Sequence, residues 1–260
     1  MLMPDYQVAG SGETTIYLLH GAYGSKDYWQ YEIKLLVEQG YRVVAWDAPG
    51  YGISPLPAQY SIRFLAQSFV KLLYATCSKR NILFGHSMGG IIAPMVYALA
   101  PEKINALVIS ATVESLGHLS KEFQDNFIRE RIAPLNAGVA LADAAAPLIN
   151  AMMGPKSTGA LVEKVKQVAL STPIDTFKAA IRAIVEYDGR GAVAKIKVPT
   201  LCIAGEFDPI GKVDIMAEMA SKIDSSTFTV IDGTAHYAWA EQPEVFNQKL
   251  FAFLRLALKQ

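Results

Sequence analysis

The chain has 260 residues, 52% of them hydrophobic, and its 24 Lys plus Arg balance 24 Asp plus Glu; a chain of this length buries most of its unfolded surface, as one large domain or two small ones. The even charge argues against nucleic acid or an anionic membrane surface as a partner and points to a small molecule. Cys77 and Cys202 sit in helical or apolar runs and read as core residues, not as a disulfide framework; the N-terminus has no basic stretch followed by an apolar one, and no apolar run approaches the ~20 residues of a membrane span, so cytoplasmic residence is expected.

Ile16-Tyr17-Leu18-Leu19 is a continuous apolar run, as a parallel strand covered on both faces requires, and it leads into His20-Gly21-Ala22-Tyr23-Gly24. Ser25 or Asp27 is placed to cap a helix that reaches about residue 39, where Gly40 stops it. Residues 42–46 predict a second strand, ending at Asp47 and a turn-rich segment over 47–54. Ser61 opens a helix with Ile62, Leu65, Phe69, Leu72 and Leu73 on one face, the spacing of a helix that covers a sheet. A short strand at 81–84 then passes through Gly85-His86-Ser87-Met88-Gly89 into a helix over 88–100, and another buried strand follows at 106–109. Alternating strands and helices through this half predict a parallel sheet with right-handed crossovers.

From about residue 112 to 190 the alternation stops. Four helical pieces are predicted instead, over 120–132, 139–153, 158–170 and 173–187, the last with Thr172 as its cap and Pro173 at the first helical position. The sheet resumes at 199–204, which delivers Gly205-Glu206-Phe207-Asp208-Pro209; a helix over 213–222, a strand over 227–231, a loop with His236 and an amphipathic helix over 244–258 complete the chain. No repeat, metal cluster, phosphate loop or dinucleotide fingerprint is visible, so neither cofactor nor metal is implied.

Gly85-His86-Ser87-Met88-Gly89 has the form Gly-x-Ser-x-Gly. To pass from strand to helix in so few residues the chain turns sharply at Ser87, and glycines on either side keep Cβ atoms out of the crowded turn. Ser87 then projects its hydroxyl at a helix N-terminus, where free N–H groups and the helix dipole favour developing negative charge. That is a nucleophile's position.

With this motif, His20-Gly21, the segment Asp47-Ala48-Pro49-Gly50-Tyr51-Gly52-Ile53-Ser54, Gly205-Glu206-Phe207-Asp208 and a late His236, nearly the whole chain resembles the α/β-hydrolase fold superfamily, in its small esterase and lactonase branch. The resemblance implies an α/β fold, a mostly parallel sheet with helices on both faces, a core over 1–111 and 191–260, and an inserted helical cap over 112–190 roofing the active site. It implies an oxyanion hole from the N–H groups of Met88 and Ala22. It also implies that His20 and Asp47 order their loops and do not act on substrate.

Ser87, Asp208 and His236 follow the chain order Ser, Asp, His of that fold, each just past a predicted strand. Of the four histidines, His86 lies inside the elbow, His118 in the insertion and His20 in the first loop, which leaves His236 as the base. Asp208 competes with Glu206, Asp214 and Asp232 for the acid. Tyr23, Tyr28, Trp29, Tyr237 and Trp239 neighbour the catalytic loops in sequence, and together with Met152 and Met153 of the insertion they are expected to line an apolar substrate pocket.

The stretches at 177–184 and 198–205 are similar to 3-oxoadipate enol-lactonases and related carboxylesterases, whereas His86 stands where those lactonases usually carry Leu and carbon–carbon hydrolases of ring-cleavage products usually carry Asn. The implied activity is hydrolysis of a small carboxylic ester or lactone through an acyl-enzyme. Carbon–carbon bond hydrolysis, cofactor-free perhydrolysis and hydroxynitrile lysis use the same triad and stand as alternatives. A ligand-sensing receptor that resembles this fold is an alternative of another kind.

Overall fold

The computed structural model describes residues 2–259. Strand β1 (Tyr6–Ala9) is followed by β2 (Thr14–Leu19), a 3-10 turn (Lys26–Trp29), α1 (Gln30–Glu38), β3 (Arg42–Trp46), α2 (Ile62–Thr76), β4 (Arg80–His86), α3 (Met88–Leu99) and β5 (Ala106–Ser110). Four helices come next: α4 (Lys121–Asn136), α5 (Leu141–Ala151), α6 (Ala160–Leu170) and α7 (Ile174–Glu186), with a short α8 (Arg190–Val193) behind them. The chain ends with β6 (Thr200–Gly205), α9 (Val213–Ser221), β7 (Ser226–Ile231), the short α10 (Ala238–Glu241) and α11 (Pro243–Ala257).

The strands form one seven-stranded sheet in the order β1-β3-β2-β4-β5-β6-β7, parallel except for β1, which runs antiparallel to β3. Every residue of β2, β5 and β6 is buried, which explains the apolar runs at 16–19, 106–109 and 201–204 within them. From β2 the chain moves outward to β3, then returns past β2 to β4 and continues to β5. The connections leaving β2 and β4 therefore diverge, and the crevice between their C-terminal ends is where open α/β sheets bind ligands. Register pairs Leu19 with Gly85 and His86 with Ser110, so the loop after β2 and the residue after β4 lie level at one edge.

Local signals set the helices. Ser61 Oγ accepts the Phe64 N–H at 3.1 Å and Ser120 Oγ that of Phe123 at 3.2 Å, each relieving an orphan donor of a first turn. Ser25 likewise accepts from Asp27 N–H, capping the 3-10 turn that precedes α1. Thr172 does not cap α7. Pro173 occupies the N-cap position, and the Thr172 hydroxyl is buried without a partner while its N–H closes the end of α6 on the Ala169 carbonyl. Cys202 is buried in β6, which pushes its thiol up to about 12; Cys77, at the end of α2, is only half-buried.

The helices between β5 and β6 pack mainly on one another, α4 on α7 and α5, and α5 on α6. The two ends of this insertion are stitched by a bridge between Ser115 and Asp188, with the Gly117 N–H donating to the Tyr187 carbonyl at 3.1 Å. Among the described residues, no helix is long and apolar enough to cross a membrane.

Candidate active site

Ser87 is the N-cap of α3 and has φ 54° and ψ −117°, a conformation that an L-residue holds only when its surroundings enforce it. The enforcement is visible on both sides. A Cβ added at Gly85 would lie 2.2 Å from the Gly89 carbonyl oxygen, and one at Gly89 would lie 2.1 Å from that of Leu19. Only glycines let α3 start this close to β4 and β2. From below, the Ser87 N–H donates to the Ser110 carbonyl at 2.9 Å, and the Thr112 hydroxyl donates to the Ser87 carbonyl at 2.8 Å.

The turn at residues 21–24 lies directly against this elbow: a Cβ built on Gly21 would sit 3.0 Å from Ser87 Cβ and 3.4 Å from its Oγ. The turn closes by Gly24 N–H donating to the Gly21 carbonyl at 2.9 Å and is pinned by two tyrosines. Tyr28 Oη accepts the Gly21 N–H at 2.8 Å, and Tyr51 Oη donates to the Ala22 carbonyl at 2.9 Å. The Gly21 N–H is thereby used, while among the described residues neither the Ala22 nor the Met88 N–H has a hydrogen-bond acceptor. Both residues line the cavity above Ser87.

His20 ties this turn to the next loop. Its Nε2 accepts the Ala48 N–H at 3.0 Å, which leaves the proton on Nδ1, 2.8 Å from the Gly21 carbonyl oxygen; burial lowers its pKa. Asp47 accepts the Lys26 N–H at 2.8 Å and pairs with Lys26 Nζ. Both residues brace loops.

The loops after β6 and β7 are joined by the Phe207 N–H to the Thr234 carbonyl at 2.8 Å. Here His236 Nδ1 lies 3.0 and 2.9 Å from the two Asp208 carboxylate oxygens, in a pair whose side chains are 3% and 0% exposed. A carboxylate only accepts, so Nδ1 carries the proton and Nε2 is the basic nitrogen. Burial works to raise the Asp208 carboxyl, but the His236 charge and hydrogen bond and the Ile210 and Gly211 N–H groups outweigh it and hold the group below its ordinary value. Of the other carboxylates considered for this place, Glu206, Asp214 and Asp232 are exposed, and Glu206 accepts the Gly233 N–H.

Ser87 and His236 line one cavity of about 230 Å³, together with Ala22, Met88 and residues from α3, α4, α5 and α7. Of the residues expected in a pocket, Tyr23, Met152 and Tyr237 belong to its wall. Tyr28, Trp29 and Trp239 do not: they are at most 1% exposed and form an aromatic shelf beneath, with ring centroids 4.7 Å apart for Tyr28–Trp29 and for Trp29–Trp239. Met153 packs half-buried on the core, outside the lining. Closeness in sequence to a site loop says nothing about which way a ring points, and the packing gain of edge-on and tilted aromatic pairs, about 0.5–1.5 kcal/mol per pair beyond area burial, turns them inward. His86 joins that shelf, 4.9 Å from the His236 ring and 5.1 Å from that of Tyr237, with both nitrogens buried and unpartnered and its pKa well below the ordinary value, first through burial. His118 is exposed.

Two residues that matter here carry no motif. The Glu241 carboxylate accepts the N–H groups of Ala235 (3.1 Å), Tyr237 (2.9 Å) and Gly154 (2.7 Å) and the Ser157 hydroxyl, clasping the His236 loop to the segment after α5, and the His236 N–H donates to the Met152 carbonyl at 3.0 Å. Arg131 of α4 reaches the cavity wall. In sequence both resemble ordinary solvent-facing helix charges.

A sequence model of the alpha/beta hydrolase fold matches residues 14–243. The chain belongs to the alpha/beta hydrolase fold family. Similar proteins include one named "Putative carbamate hydrolase RutD" from Azorhizobium caulinodans, 28% identical and aligned over 95% of this chain and 93% of the relative. Another is 3-oxoadipate enol-lactonase 1 of Acinetobacter baylyi, 27% identical over 87% of this chain and 83% of the relative. Among solved structures, a thermophilic esterase from Thermogutta terrifontis superposes with a TM-score of 0.85 at 25% identity, covering 97% of this chain and 93% of that one. On family and relatives together, this alpha/beta hydrolase is a hydrolytic enzyme. Among its described residues, no group of three or more His, Cys, Asp or Glu side chains is disposed to hold a metal ion.

Proposed function

We propose that this protein is a serine hydrolase that cleaves a small carboxylic ester or lactone through an acyl-enzyme, with Ser87 as nucleophile, His236 as base, Asp208 as its acid partner and the Met88 and Ala22 N–H groups as oxyanion donors. The observation that carries the reading is the enforced backbone of Ser87 at the head of α3, opening into the cavity that it shares with an imidazole paired to a buried carboxylate. Strain of this kind persists where function maintains it.

In the proposed reaction, His236 Nε2 takes the Ser87 proton as Oγ attacks the carbonyl carbon, and Asp208 holds the tautomer and balances the imidazolium. Charge on the tetrahedral oxygen falls on two fixed amide donors that need no rearrangement to meet it. His236 then protonates the leaving oxygen. A water, deprotonated by the same nitrogen, releases the acid and restores the serine. On this reading the helices over 112–190 are a cap that supplies the apolar roof, and the partner is a small molecule.

The relatives named as an enol-lactonase and a carbamate hydrolase define the assay panel: short p-nitrophenyl esters, simple lactones and alkyl carbamates, all carbonyls with a heteroatom leaving group. Ser87→Ala is expected to lower kcat by at least about 10⁴-fold on whichever of them the wild type turns over. A fluorophosphonate should add its mass to the peptide containing Ser87 and to no other. Turnover surviving in Ser87→Ala would overturn the mechanism.

A further inference from the structure

The cavity wall is apolar nearly throughout, and among its described lining residues Arg131 is the one lysine, arginine or ionised carboxylate. Arg131 is also poorly compensated. Its side chain is 13% exposed, while Glu130, the carboxylate nearest to it, is 65% exposed and touches Nη1 only at 3.5 Å. The same Nη1 donates to the Phe127 carbonyl at 3.2 Å, and the guanidinium plane lies over the Phe127 ring, 3.6 Å from its centroid. Among the described residues nothing accepts from Nε or Nη2. Burial has pulled the Arg131 pKa below its ordinary value, the signature of a cation short of partners.

Tyr23 lines the same cavity. Its ring stacks on Phe177 at 4.4 Å and is 7% exposed, yet its hydroxyl is buried without a hydrogen-bond partner, and it is close enough to Arg131 for each to perturb the other electrostatically. An unpaired buried hydroxyl and an under-satisfied buried guanidinium each cost the fold free energy. In one cavity they present a set of donors with no acceptor: an O–H and the planar fork that matches a carboxylate in bidentate fashion. A single cation and a neutral phenol offset one unit of negative charge, which suits a carboxylate better than a doubly charged phosphate.

We propose that Arg131 and Tyr23 form a carboxylate subsite, and that the substrate is an ester or lactone bearing a free carboxylate remote from the carbonyl attacked by Ser87, such as a half-ester of a short dicarboxylic acid. This rests on the serine-hydrolase reading and names the substrate class for that site. Arg131 binds and orients, Tyr23 donates the flanking hydrogen bond, and the apolar wall between them and Ser87 accommodates the methylenes.

The test compares kcat/KM for mono-p-nitrophenyl adipate with that for p-nitrophenyl hexanoate, which match in acyl length and differ in the terminal carboxylate. In the wild type the half-ester should be preferred by about tenfold or more, the usual worth of a charge-assisted hydrogen bond. In Arg131→Met the ratio of the two kcat/KM values should fall by about 10- to 100-fold, chiefly through KM on the half-ester, with partial recovery in Arg131→Lys; Tyr23→Phe should lower it by about three- to tenfold. A wild type without preference, or an Arg131→Met ratio equal to that of the wild type, overturns the subsite, and the wild-type ratio decides even if the variants do not fold. The two readings fail separately: turnover in Ser87→Ala sinks the serine mechanism whatever the ratio, whereas a lifeless Ser87→Ala beside an unchanged ratio sinks the subsite alone.

Discussion

Two regions meet at the cavity and are built on different terms. At the sheet edge, Ser87, Asp208 and His236 stand just past the C-terminal ends of β4, β6 and β7, on strands hydrogen-bonded to their neighbours along their length, and each is fixed by short backbone contacts. The insertion between β5 and β6 contributes helices that pack chiefly on one another and meet the sheet-edge loops where α6 packs on the 3-10 turn and α10, where α7 stacks Phe177 on Tyr23 and donates from Thr176 to the Gly50 carbonyl, and through hydrogen bonds around Glu241 and Met152. On the proposed reading the difference separates two jobs: the sheet edge would hold geometry that tolerates little displacement, and the insertion would supply the shape and charge that select a substrate.

The comparison is broken most directly by removing a group that has no alternative in the rigid region. Asp208→Asn keeps the shape of the side chain but can present an N–H to His236 Nδ1, which favours the wrong tautomer. A fall in kcat of about 10⁴-fold with a nearly unchanged KM is expected in steady-state assays on the best ester of the panel. A loss under tenfold would mean that another group orients His236.

Glu241 tests the seam between the regions. Glu241→Ala strips the acceptor from three N–H groups and the Ser157 hydroxyl, so the segment after α5 and the His236 loop lose their common anchor. Stability should drop by about 2–3 kcal/mol in urea titration, and kcat by about 10- to 100-fold at temperatures where the protein stays folded, because a misplacement of His236 by about 1 Å costs that much. Glu241→Gln retains an acceptor oxygen and should recover part of both. A variant with lowered stability but wild-type kcat would make Glu241 a fold residue only.

The same division decides what could be read from the sequence. The elbow was legible because its backbone admits few residues: glycine at 85 and 89, a serine between them, an apolar strand before and a helix after. The buried parallel strands themselves, though not their order in the sheet, were legible for a similar reason, since strands covered on both faces are mostly apolar. Strand β1 escaped because Tyr6-Gln7-Val8-Ala9 is a four-residue edge strand that is buried only in part, so no pattern of burial marks it. The cavity lining escaped because an apolar residue on an amphipathic helix packs equally well against core or cavity; periodicity finds the face and not its occupant. Glu241 escaped because its use depends on Gly154, 87 residues away in the chain, and Arg131 because helical periodicity does not say whether a charge faces solvent or a cavity.

The smallest expected effect concerns His86, a polar residue in the rigid region that makes no hydrogen bond with either nitrogen. Its folded pKa is depressed well below the ordinary histidine value of about 6.5, first by burial and then by His236 and His20. The unfolded chain therefore takes up a proton near pH 6.5 that the folded chain refuses, so the stability this group allows is complete above that pH and is lost as pH falls below it. His20, also depressed by burial, adds a second contribution of the same sign. His86→Leu removes one of the two. Between pH 7 and 5.5 its unfolding free energy should fall by about 1.2 kcal/mol less than that of the wild type, and at pH 8 the variant should be no less stable, because two unpaired buried nitrogens have been replaced by hydrocarbon. Parallel pH curves for the two proteins would mean that His86 accepts a proton in the fold. That proton would sit 4.9 Å from the His236 ring, so under the proposed mechanism a neutral His86 is what leaves the charging of His236 unopposed from that side.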